Sequence, residues 1–219
     1  MDKVKSLFNK LFLKDGIFRN IASVIITVFI VKILGFLKEV YVGNIFGMSE
    51  DLDVFFILIL IPGFFSNVFL GAFKAVVIPN YIFAQKKGNL IFQNNIILQT
   101  IILGSILTLG LYVCSTPINI YLVRNYSSDI ASAVFENQNL LLFCIPIWTF
   151  SSLLSGLLEI RKKFIVSAVY PIITSIVFIS FLFFFEPTIG LLIQAFVIGS
   201  FFELCLLLLF QPIKFVLKN

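Results

Sequence analysis

Apolar runs close to the length of a membrane crossing decide what this chain can fold into. Stretches such as F-I-S-F-L-F-F-F (178–185) and L-C-L-L-L-L-F (204–210) show no alternation of polar and apolar residues, so they do not suit the strands of a closed barrel. Segments of about 20 such residues match a hydrocarbon core of about 30 Å. Composition agrees: 60% of the 219 residues are hydrophobic, 12% are charged, 28 are phenylalanine, and the mean hydropathy is +1.09. A soluble core of this size could not absorb that much apolar surface. The reading is an all-α integral membrane protein with six transmembrane helices near 20–43, 53–80, 92–114, 138–159, 164–185 and 189–210. A basic arm (1–19) precedes the 20–210 bundle and a short tail (211–219) follows it.

Between these spans lie N-I-F-G-M-S-E-D, A-Q-K-K-G-N, the longer 115–137 stretch, E-I-R-K-K and F-E-P-T, each rich in turn or polar residues. The 115–137 stretch reads as a short amphipathic piece along the outer interface, with Tyr121 and Tyr126 at headgroup level. Cations fall unevenly. Lys3, Lys5, Lys10, Lys14 and Arg19, then Lys86 and Lys87, then Arg161, Lys162 and Lys163, then Lys214 and Lys218 all belong to one side, against Arg124 alone on the other. By the positive-inside rule both termini are cytoplasmic, and an even number of spans agrees. The net charge of +5 therefore reflects topology. No basic face interleaved with aromatics exists outside these loops, so nucleic acid is not an expected partner. The first helix reads as retained, since Lys32 breaks its apolar run and no small-x-small cleavage site follows.

Enzyme chemistry has little to work with. Histidine is absent, and Cys114, Cys144 and Cys205 fall in separate apolar segments without metal-ligand spacing, so packing is their expected role. Neither a phosphate-binding G-x-x-x-x-G-K-[ST] loop nor a G-x-S-x-G elbow occurs. No cofactor and no metal are expected.

Charges inside apolar segments carry more information, because an ionisable group at membrane depth costs on the order of 2.5–3.5 kcal/mol and persists where it meets protein, water or a polar ligand. Lys32, Lys38 and Glu39 interrupt I-A-S-V-I-I-T-V-F-I-V-K-I-L-G-F-L-K-E-V. On a helix Lys32 and Glu39 lie within about 20° of each other, with Lys38 about 120° from Lys32. Lys38 and Glu39 either reach the outer headgroups or line a hydrated cleft; Lys32, about a turn and a half deeper, is better placed for a cavity or an anionic substrate. Asp53 can be a helix N-cap or a gate. Lys74 reads as snorkelling toward the cytoplasmic headgroups, and Glu159 beside Arg161 as a boundary charge. Glu203, inside the last span, must be neutral, paired or wetted. Prolines 62, 79, 146 and 171 mark expected kinks. Small residues such as Gly71, Gly104, Ser151, Ser155 and Gly156 permit close helix contact. Kinked helices with buried charge suit a moving transporter.

The order V-K-I-L-G-F-L-K-E-V-Y-V-G-N-I-F-G, D-L-D-V-F-F, I-P-G-F-F, G-A-F-K-A-V-V-I-P and R-K-K-F-I-V-S-A-V-Y-P-I-I-T-S resembles the MurJ/MviN family of lipid II flippases, in the multidrug/oligosaccharidyl-lipid/polysaccharide exporter superfamily. That family typically reads S-R-x-L-G-F-x-R-D, T-D-A-F-F, L-P-N-L-L-R-R and G-A-F-x-x-A-F-V-P. The resemblance covers nearly the whole chain and is strongest over 31–80. It implies the amino-terminal six-helix lobe of a flippase for an undecaprenyl-diphosphate-linked saccharide, lipid II or a polysaccharide repeat unit, in the bacterial cytoplasmic membrane. Lys32 and Lys38 stand where the family has cavity arginines that engage the diphosphate, and Glu39 and Asp53 where it has acids assigned here to a gate. Departures are Ser66-Asn67 in place of R-R, and Lys74 as an added cation. A lone lobe would leave Lys32 and Lys38 against lipid, so a second lobe on another chain or a second copy is the expected partner, beside membrane lipid. The competing readings are a cation-coupled small-molecule exporter of the same superfamily and a non-transporting membrane subunit.

Overall fold

The computed structural model describes residues 16–87 and 91–210, all α-helical apart from short connections. The basic arm through residue 15 and the tail with Lys214 and Lys218 lie outside the described residues. The elements are α1 (Gly16–Phe46), α2 (Glu50–Lys86), α3 (Ile91–Leu122), α4 (Ser128–Leu142), α5 (Cys144–Ile160), α6 (Phe164–Val169), α7 (Ile172–Phe184) and α8 (Ile189–Phe210). Segments long and apolar enough to cross a membrane, among the described residues, are Asn95–Leu122, Ser128–Ile160, Phe164–Phe184 and Ile189–Phe210.

Prolines set two of the interruptions. Pro146 has no N–H to give the carbonyl of Leu142, and α4 ends at that residue before the chain continues as α5. Pro171 likewise separates α6 from α7. Pro62, Pro79 and Pro117 lie inside α2 and α3, which continue through them. Gly47 ends α1 at φ 57°, a conformation glycine adopts without strain, and its N–H donates to the carbonyl of Gly43 at 2.9 Å.

The 115–137 stretch differs from expectation. Only residues 123–127 interrupt the helices there: α3 runs on to Leu122, and α4 starts at Ser128. The Ser127 hydroxyl caps α4 by accepting from the Ile130 N–H at 3.4 Å. Ile130, Val134, Leu141 and Leu142 then bury one side of α4, so its amphipathic pattern faces the core rather than the headgroups. Asn119 Nδ2 donates to Gln138 Oε1 at 2.8 Å, tying α3 to α4.

Helix α5 is the centre of the bundle. It packs on α2, α3, α6 and α8, and every residue from Ser151 to Leu158 is buried. Four aromatic rings from four helices close the adjacent core: Phe55 of α2 lies 5.8 Å from Phe178 of α7 and 6.0 Å from Phe196 of α8, and Trp148 of α5 meets Phe196 edge-on at 5.6 Å. Such offset contacts add about 0.5–1.5 kcal/mol each beyond the area they bury. Helix α1 packs along α6 and α7, leaving Ile25, Ile26, Phe29, Phe36 and Val40 exposed on its other side.

Candidate transport site

Helix α1 presents its charges in two directions. Lys32 and Glu39 are on the exposed side, as the seven-residue spacing requires. Lys38 points the other way. Its side chain is only 14% exposed, and its ammonium sits 5.1 Å from the centroid of the Phe178 ring on α7, close enough for a cation–π contact. The reading in which Lys38 extends outward to the headgroups is therefore corrected: packing of α1 on α7 turns it inward. The ammonium also meets Glu39 Oε1 at 2.8 Å. Neighbouring side chains on a helix diverge by about 100° and do not naturally face each other, so this pair relies on the length of both side chains. Glu39 is half exposed, which makes the pair weak.

Lys32 and Lys38 are thus not brought to one face. Lys32 enters no ion pair among the described residues and stands in an apolar setting beside exposed Ile33, Phe36 and Phe29. Asp53 is exposed in the first turn of α2. It is not the cap of that helix: Ser49 is, its hydroxyl accepting from the Leu52 N–H at 3.4 Å. Glu50, Asp51 and Asp53 together put negative charge at the positive end of the helix dipole.

A second polar cluster, near the other end of the bundle, was not anticipated. Lys74 Nζ of α2 donates to Glu159 Oε1 at 2.8 Å and to Ser155 Oγ at 2.9 Å, both on α5. Ser167 of α6 donates to the same Glu159 oxygen at 2.7 Å and shares a 2.7 Å hydrogen bond with Ser155. Lys74 therefore does not simply snorkel, and Glu159 is not a free boundary charge. Gly156 lies against this cluster, and a Cβ there would make ordinary contacts, 3.7 Å to Lys74 Cε and 3.5 Å to Ile78. Two readings, a cation low on the second span and an acid low on the fourth, already placed opposite charges at one depth; that shared depth was the available signal.

Glu203 is the third polar point. It is 7% exposed, and the hydroxyl of Thr174 on α7 donates to its Oε1. Thr174 also packs against Gly199 of α8, where a Cβ would fall 2.9 Å from its Cα. Among the described residues no group of histidine, cysteine, aspartate and glutamate side chains could hold a metal ion.

Comparison with known proteins gives one consistent result. The family model described as Lipid II flippase MurJ matches residues 42–218. A Buchnera aphidicola (subsp. Schizaphis graminum, strain Sg) protein described as a probable lipid II flippase MurJ is 30% identical over 202 residues, covering 86% of this chain and 39% of that protein. A Thermosipho africanus (strain TCF52B) lipid II flippase MurJ is 29% identical over 209 residues, covering 89% of this chain and 40% of its own length. The chain spans about two fifths of the length of these relatives.

Proposed function

This chain belongs to the MurJ family of lipid II flippases, and on that premise we propose that it supplies membrane helices to a transporter that moves an undecaprenyl-diphosphate-linked saccharide across the bacterial cytoplasmic membrane. Flippases are transporters, not enzymes. Lipid II is the substrate named for the relatives, and a polysaccharide repeat unit on the same carrier presents the same diphosphate. The distribution of loop cations supports cytoplasmic termini.

The observation that carries this reading is Lys32: an ammonium on the open side of α1, among apolar side chains, with no carboxylate in an ion pair with it among the described residues. A cation so placed is costly against hydrocarbon, and an anionic phosphate removes that cost by a charge-assisted hydrogen bond. Lysine does this as a point charge, without the fork of arginine. A second lobe or a second copy packed on the open side of α1 would make Lys32 part of a cavity wall. Lys38 is the second phosphate ligand in this reading, presented when it leaves Glu39, so that the Lys38–Glu39 pair and the exposed Asp53 act as a gate biased by the substrate.

Binding of an undecaprenyl-diphosphate saccharide to the protein in lipid nanodiscs tests this. Lys32→Gln should weaken binding about tenfold, the scale of one charge-assisted hydrogen bond, and Lys38→Gln should weaken it further, with membrane insertion intact. Unchanged affinity in the double substitution would reject both lysines as phosphate ligands.

A further inference from the structure

We propose that Glu203 is a second, internal partner for the Lys38 ammonium and positions it by competing with Glu39. The geometry on α7 supports this. Phe178 and Thr174 are four residues apart, hence one turn apart on one face, about 5–6 Å along the axis. Lys38 lies over the ring of Phe178, and Glu203 is held by the hydroxyl of Thr174. The ammonium and the buried carboxylate are therefore neighbours along the same strip of α7, and the charge of Lys38 is felt at Glu203. The other titratable groups whose environment includes Glu203 are the phenol of Tyr170 and the thiol of Cys144, neither of which supplies a cation. Lys38 is the one cation in that set.

The two pairings differ in character. With Glu39 the ammonium has a half-exposed partner, and the pair is weak because of that exposure and because neighbouring side chains on a helix do not face each other. With Glu203 the attraction acts in a less polar setting, while the desolvation cost rises. Opposing terms of this kind leave an element with two arrangements that a ligand can bias. The face of the Phe178 ring bridges them, since a cation remains favourably placed over an aromatic as it moves from one acid to the other. For the transporter, Lys38 at Glu39 stands where substrate phosphate can take it from its acid, and Lys38 at Glu203 is withdrawn. Only this consequence rests on the reading of Lys38 as a phosphate ligand.

The test needs no substrate, so its failure is separable from failure of diphosphate binding. A water-soluble amine-acylating reagent is applied to the protein in nanodiscs, and acylation of Lys38 is measured by mass spectrometry relative to Lys162, an exposed amine in the connection between α5 and α6 that corrects for reagent reactivity. Glu39→Gln should lower relative labelling of Lys38 about twofold to fivefold, the range expected for a weak ion pair, because the ammonium retracts to Glu203. Adding Glu203→Gln should restore labelling to the wild-type level or above. Glutamine retains a side-chain oxygen for Thr174. Should the double variant not fold, Thr174→Val in the otherwise unaltered protein frees Glu203 for Lys38 and should lower labelling in the same sense. Labelling that does not fall with Glu39→Gln, does not recover with Glu203→Gln, or is unmoved by Thr174→Val where that variant is needed overturns the proposal.

Discussion

Replacing Glu159 by leucine is expected to destabilise the protein by about 2 kcal/mol, more than replacing Glu159 and Lys74 together. Removing one member of a buried pair leaves an uncompensated charge and costs about 3–5 kcal/mol; here both side chains retain some exposure, 27% for Lys74 and 33% for Glu159, so the cost is smaller. The single change also takes from Ser167 the carboxylate it donates to and leaves Lys74 with Ser155 alone. In the double Lys74→Leu/Glu159→Leu variant no charge is stranded, and apolar side chains fill the seam between α2 and α5, which is why part of the loss should return. Thermal unfolding of the single and double variants in nanodiscs measures the difference. A double variant no more stable than Glu159→Leu would mean that the pair contributes little beyond its packing.

Placing any side chain at Gly199 should have the other large effect. A Cβ there would lie 2.9 Å from the Cα of Thr174 and 3.1 Å from its Cγ2, so backbone rather than a flexible side-chain end must move. Overpacking of this kind costs about 1–3 kcal/mol for an added methyl group. Gly199→Ala should therefore lower the unfolding temperature, and Gly199→Leu should part α7 from α8 and separate Thr174 from Glu203. The single tryptophan is a built-in reporter, because Trp148 Nε1 donates to the hydroxyl of Ser200 at 3.0 Å. Its emission should shift to the red in Gly199→Leu as that contact opens to a more polar setting. Unchanged emission and stability would show that α7 and α8 do not pack as closely as described.

Much of the helical framework was legible because hydrophobic length is a direct consequence of the solvent the helices occupy. The fifth span, 164–185, corresponds closely to α6 and α7 together, and the sixth, 189–210, to α8. Proline placement announced the breaks beside Pro146 and Pro171 but not the continuity of α2 through Pro62, since a helix held by its neighbours can absorb a lost hydrogen bond. The 115–137 stretch misled because polar residues there suggested an interface. Ser127 and Asp129 instead mark the start of a helix, and Glu136 and Asn137 ride on a segment whose apolar side is buried.

The charges were legible one by one and not as pairs. Helical spacing related Lys32 to Glu39, but nothing in one strand of sequence says which side of α1 meets α7, and that alone turns Lys38 inward. Lys74 with Glu159, and Thr174 with Glu203, join residues far apart in the chain. Their partners follow from which helices are neighbours, a property of the whole bundle.

Outward delivery of the lipid-linked saccharide tests the transport claim most directly. In cells whose supply of this protein is shut off, a hydrolase that cannot cross the membrane is added outside, and the fraction of the undecaprenyl-diphosphate saccharide it reaches is measured. The account predicts that this fraction falls while the inner pool accumulates; an unchanged fraction after depletion would contradict it.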